Sequence, residues 1–165
     1  MMASSGADDP LVRQKITDQL YCYCRAMDRL DAELGYSVFA PDSTVDYGPV
    51  FCGTGRGFVE YVLDRHRKMV GTSHQISNIL FSRMDYGIVT EAYVRATNRS
   101  ASEGRTYDVV IQGRYLDRWR ERDGRWLIHH RHYLHDFDAV VEVSKSLLEP
   151  WGARDRSDPS YAALH

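Results

Sequence analysis

Long apolar runs are missing from this 165-residue chain, and with them the ~20 consecutive apolar residues that a membrane-spanning helix requires. The opening Met-Met-Ala-Ser-Ser-Gly-Ala-Asp-Asp-Pro holds no apolar core of the kind a secretory signal needs. Cysteine is scarce: Cys22, Cys24 and Cys52 make an odd number without a zinc spacing. Cys22 and Cys24 stand too close on an expected helix to share a face, which excludes a paired site. Free thiols without an export signal fit a reducing compartment, so the cytoplasm is the expected location. Neither sign of charge dominates, with 21 basic against 23 acidic residues. Phosphate backbones and anionic bilayers need concentrated positive charge, so neither nucleic acid nor a membrane is an expected partner. The arginines between Arg114 and Arg125 are interrupted by Asp117, Glu121 and Asp123, as on a solvated sheet face. Internal repeats and low-complexity tracts are absent as well.

What is present suits one globular domain. Hydrophobic residues make up 43% and charged residues 27% of a chain long enough to bury a core. A polar lead over residues 1–9 ends at Asp9-Pro10, a helix cap followed by a first-turn proline. Leu11, Ile16, Leu20, Cys24 and Met27 then form one stripe of a helix over 11–30. A short helix is expected over 32–39, closed by Pro41, and a strand at Thr44-Val45-Asp46-Tyr47. Gly53, Gly55 and Gly57 invite comparison with a phosphate loop, but the Gly-Lys-Ser/Thr ending is missing. A tight connection into a helix over 58–68, lined by Phe58, Val62, Arg65 and Met69, is the simpler reading. From Thr72 the pattern changes to strands near 73–84, 87–98, 106–120 and 125–134. Asp123-Gly124 is a hairpin turn between two of them. Helices followed by a meander predict an α+β domain. The tail over 145–165 reads as a short helix with an end that is mobile or packed on a partner subunit.

Within the first of these strands, the period of two places Thr72, His74, Ile76 and Asn78 on one face. A lone strand histidine is ordinarily a satisfied core residue, so its meaning depends on what the fold brings beside it.

The order of several short segments gives that context. They are Ala26-Met27-Asp28-Arg29-Leu30-Asp31, the stretch Phe39 to Gly48, Thr72-Ser73-His74 with Asn78, and Gly113-Arg114-Tyr115 leading to Arg122-Asp123-Gly124-Arg125-Trp126. Over roughly residues 10–140 this pattern resembles the SnoaL-like branch of the nuclear transport factor 2-like superfamily, the cystatin-like cone folds. The resemblance implies a cone-shaped, mixed but mainly antiparallel sheet. Three N-terminal helices would pack on its concave side and enclose a pocket.

Among such families the functional likeness is to scytalone dehydratase and its relatives, the hexachlorocyclohexane dehydrochlorinases and bile-acid dehydratases. It implies that Asp28, at the end of the first helix, pairs with His74 as the base, and that Tyr47 polarises a substrate oxygen. A dehydratase tyrosine before the aspartate falls on Met27, a second histidine falls near Asn98, and a serine and asparagine fall on Gly113 and Tyr115. The substrate-reading residues therefore differ. Asn78 and Asn98 are candidate substrate contacts, and Arg131 is a candidate for an acidic or phenolic substrate oxygen.

The expectation is a cofactor-independent lyase or isomerase acting on a small apolar cyclic or polyketide-like substrate, assembled as a homo-oligomer, trimer or dimer. Its rivals are a non-catalytic binding or accessory domain and the small subunit of a ring-hydroxylating dioxygenase. The run His129-His130-Arg131-His132-Tyr133-Leu134-His135-Asp136 is read as a wet strand end, since Arg131 interrupts any metal-ligand set.

Overall fold

The computed structural model describes residues 7–164. Helix α1 (Pro10–Asp28) starts where Asp9 accepts a hydrogen bond from the Leu11 amide at 2.9 Å, with Pro10 in the first turn. It is followed by α2 (Ala32–Tyr36), capped by Asp31 accepting from the Leu34 amide, then β1 (Phe39–Asp46) and a short β2 (Cys52–Thr54). Thr54 caps α3 (Gly55–Arg67) by accepting from the Gly57 amide. Four long strands come next: β3 (Gly71–Met84), β4 (Gly87–Ser102), β5 (Arg105–Arg122) and β6 (Arg125–Val143). A short α4 (Pro159–Ala163) closes the tail.

The six strands form one curved, open, mixed sheet in the order β2-β1-β6-β5-β4-β3. Only β1 and β6 run parallel; the other neighbours are antiparallel. Turns with left-handed residues join the long strands, as at Glu103-Gly104 and at Asp123-Gly124, where φ is 52° and 76°. Helices α1 and α3 bury Ile16, Leu20, Met27, Val59 and Leu63 together with Ala92, Val94, Trp119 and Ile128 of the sheet. Inside this core the Trp119 indole donates to Thr90 Oγ1 at 2.9 Å, so the largest buried ring leaves no polar atom stranded. No described helix is long and apolar enough to cross a membrane.

Several boundaries differ from the sequence expectation, each for a local reason. Leu11 is 64% exposed, and the buried stripe of α1 instead includes Tyr23 and Ala26. Residues 52–54 pair with β1 as β2, although glycine and short length hide a strand signal. Strand β6 runs nine residues past the expected end, because β5 extends alongside it and supplies backbone partners up to Thr106↔Val143.

Candidate active site

Asp28 is the last residue of α1, and β3 passes directly beside it. The carboxylate uses both oxygens on one residue. His74 Nδ1–H donates to Asp28 Oδ1 at 2.7 Å, and the His74 backbone N–H donates to Oδ2 at 2.9 Å. The second bond fixes the strand as well as the ring. The side chains of His74 and Asp28 are 7% and 16% exposed. With Nδ1 engaged by the carboxylate, Nε2 is the ring nitrogen left for the cavity that His74 lines.

That cavity measures about 630 Å³ and lies between α1, α3 and the sheet. Its wall is largely apolar and aromatic, with Tyr23, Tyr47, Phe58, Val94, Tyr115 and Tyr133 contributing. Such a lining suits an apolar ring carrying few polar groups. Phe58, Val62, Arg65 and Met69, expected to line the third helix, border this space. The core contacts of that helix come from Phe58, Val59 and Leu63.

Tyr47 follows β1, and its ring is stacked between Phe58 at 3.9 Å and Tyr133 at 4.9 Å. Its buried hydroxyl makes no hydrogen bond of good geometry among the described residues, with Tyr23 and Arg131 beside it. Burial, reinforced by the neighbouring Tyr23, pushes this phenol well above the ordinary tyrosine range, so it stays a proton donor. Asn98 also lines the cavity, and its Oδ1 is buried without a partner.

Two expected contacts lie elsewhere. Asn78 sits at an irregularity in β3, where the register to β4 breaks between Ser77 and Leu80. Its φ of 50° is left-handed, a conformation asparagine tolerates better than most residues. The break interrupts the alternation that would have aligned it with His74, and the residue is exposed outside the cavity. Arg131 is not at a surface waiting for an acidic substrate. It is fully buried, with Nε and Nη2 each donating to Asp117 at 2.7 Å. Its guanidinium lies 3.8 Å from the Tyr115 ring centroid and 4.3 Å from that of Tyr23. Only Nη1 is unpartnered, so Arg131 supports the phenols from behind.

Two residues near the dyad carried no signal strong enough to single them out. His66 of α3 has its ring centroid 5.5 Å from that of His74, and its Nδ1 is 3.4 Å from the Met27 carbonyl. Burial and then the neighbouring His74 push His66 down to about 4, so it is neutral at physiological pH. Its spacing from Phe58 and Val62 is the same helical stripe, which would have exposed it. The other is Arg154 in the tail. Its Nη1 donates to the carbonyls of His66 (2.9 Å) and Met69 (2.8 Å), and Nη2 donates to Thr72 Oγ1 (3.2 Å). Nε reaches the Asp28 carbonyl at 3.5 Å. One guanidinium thus ties the ends of α1 and α3 to the start of β3. The tail is held further by Tyr161 donating to Asp31 at 2.8 Å and by Arg156 at 3.3 Å from the same carboxylate. These contacts place the tail on its own chain.

The histidine-rich segment divides between two surroundings. His130 meets Thr44 Oγ1 at 2.8 Å, whereas His132 and His135 border the cavity. Among the described residues no three His, Cys, Asp or Glu side chains converge as a metal site requires.

Comparison with known proteins agrees with this architecture. A protein from Novosphingobium aromaticivorans described as a candidate scytalone dehydratase superposes with a TM-score of 0.69 at 24% identity, covering 86% of this chain and 94% of its own. The hexachlorocyclohexane dehydrochlorinase LinA-type3 from Novosphingobium barchaimii gives 0.71 at 12% identity, over 85% and 96%. A cystatin-like-fold protein of unknown function from Nostoc punctiforme gives 0.58 at 19%, over 77% and 92%. At these identities the likeness is one of fold. No protein of curated function matches the chain by sequence. Residues 10–132 match the SnoaL-like domain, and the chain therefore belongs to the SnoaL-like family, with a cystatin-like fold.

Proposed function

We propose that the protein is a cofactor-independent lyase or isomerase of the dehydratase type, acting on a small apolar cyclic or polyketide-like molecule. The observation that carries this reading is the 2.7 Å contact between His74 Nδ1 and Asp28, made by a histidine that lines an aromatic cavity. A nitrogen so placed takes a proton from a carbon next to a carbonyl, and Asp28 stabilises the imidazolium that forms. Tyr47 supplies the electrophilic half. Its protonated hydroxyl donates to the carbonyl oxygen as negative charge develops there, backed by the Arg131–Asp117 pair. The resulting enolate then expels a leaving group or is reprotonated at a second carbon. These steps use side chains alone.

Family membership and the dehydratase and dehydrochlorinase described above support the reaction class. The test is turnover of a library of cyclic ketones and β-hydroxy ketones by wild type and His74→Ala. General base action is worth about 10²–10⁴-fold, and the variant should lose that much while keeping its fold. Full activity in His74→Ala ends the assignment.

A further inference from the structure

A second histidine–aspartate pair borders the same cavity, on β6 near its mouth. Tyr133 O–H donates to His135 Nδ1 at 3.3 Å, and on the other side of the ring Nε2 stands 3.1 Å from Asp138 Oδ2 as an ion-pair contact. All three side chains line the cavity that holds His74. Regular alternation would put 133 and 135 on one face and 138 on the other. A bulge prevents this. Gly113 pairs with His135, Gln112 pairs with Phe137, and Asp136 is left without a partner on β5. The extra residue returns Asp138 to the face of His135, which is how bulges re-aim side chains beside active sites. Asp136 turns instead to Arg114, accepting at 2.9–3.2 Å. Room for the phenol comes from Gly113, where an added Cβ would lie 2.5 Å from the Tyr133 hydroxyl. The bulge, the glycine and the run of contacts from Asp138 through His135 to Tyr133 are three separate features that meet at one hydroxyl.

We infer that Tyr133, relayed by His135 and Asp138, is the proton donor to a leaving oxygen, which makes the substrate class a β-hydroxy carbonyl compound. The inference rests on the proposed role of His74. In the committed step the C–H bond breaks and its proton passes to His74 Nε2. The C–O bond then breaks with its electron pair on oxygen, and that oxygen takes the proton of Tyr133 to leave as water. With the phenol proton gone, His135 Nδ1 takes up a proton from solvent, Asp138 holds the imidazolium so formed, and Nδ1–H then reprotonates the phenolate. The proton on His74 returns through solvent to His135, whose side chain is 48% exposed. Burial, with Asp136 and Asp138 nearby, raises the Tyr133 phenol to about 12, so it enters the step protonated. A hydroxyl leaving group needs such a donor. A halide, or a simple double-bond shift, does not.

The test compares two probes that differ only in the leaving group, the acetone–benzaldehyde aldol and its β-chloro analogue. Tyr133→Phe and His135→Gln should each lose about 100-fold in kcat on the aldol and little on the chloride. His74→Ala should fail on both. Equal losses on the two probes, or none on the aldol, overturn the inference. If His74→Ala keeps its rate while Tyr133→Phe fails on the aldol, the fault lies with the base assignment and not with the donor. A second measurement needs no substrate. Nitrogen NMR of the wild-type imidazoles should show His135 as the Nε2–H tautomer, lost in Asp138→Asn. An Nδ1–H tautomer, or one indifferent to Asp138→Asn, contradicts the relay even where neither probe turns over.

Discussion

The cavity has a histidine–aspartate pair on two of its walls, and the two are built differently. Asp28 and His74 are almost dry, joined at 2.7 Å, with a second bond to the backbone and Arg154 tying the surrounding elements together. His135 and Asp138 are about half exposed, joined at 3.1 Å, and stand on an extended strand. The contrast follows from the tasks proposed for them. A carbon acid yields its proton only to a base whose tautomer and position are set in advance. A relay that must be recharged after each turnover needs access to water. Burial that benefits the first would disable the second.

The largest effect that separates the two walls is on proton abstraction alone. His74→Ala should lower exchange of α-protons in a bicyclic ketone by about 10²–10⁴-fold, whereas His135→Ala leaves it unchanged because exchange expels no group. Equal effects would erase the distinction. Next in size is the support behind the phenols. Asp117→Asn leaves the buried Arg131 charge unpaired and should destabilise the fold by about 3–5 kcal/mol in urea unfolding. No comparable loss is expected for Asp138→Asn at the exposed mouth.

The dry wall also has a pH signature. The His66 value lies near 4 when folded, against about 6.5 when unfolded. Between these limits the unfolded chain binds the extra proton, so stability present above about 6.5 is lost as pH falls. The expected slope is about 1.4 kcal/mol per pH unit, or roughly 3 kcal/mol across the window. His66→Gln should flatten that part of the stability profile. The smallest effect is that of Arg154. Arg154→Ala should reduce kcat by about tenfold with little change in KM, because it loosens the elements carrying the dyad without touching the cavity. A change confined to KM would show that the tail acts on binding.

Much of this was legible because it is local. Asp9-Pro10 marks the start of α1, Asp123-Gly124 marks the last hairpin, and the order of short segments pointed to the fold and to Asp28 with His74. What escaped depends on partners distant in sequence. Arg131 looks exposed on a strand rich in histidines, and only Asp117 on β5 with Tyr23 on α1 makes it a core residue. Asn78 fits the His74 face by counting, but the irregularity after Ser77 changes the count. The same kind of break at Asp136 hid the pairing of His135 with Asp138. Arg154 sits in a polar tail whose partners lie more than eighty residues away.

His74, held by Asp28, is proposed to remove a proton from carbon. The most direct measurement is incorporation of deuterium at the α-carbon of α-tetralone in deuterated water, followed by NMR for wild type, Asp28→Asn and His74→Ala. Wild type should exchange above the buffer rate, Asp28→Asn should show a clear loss, and His74→Ala should show the buffer rate alone. Exchange in His74→Ala at the wild-type rate, or none in the wild type, would contradict it.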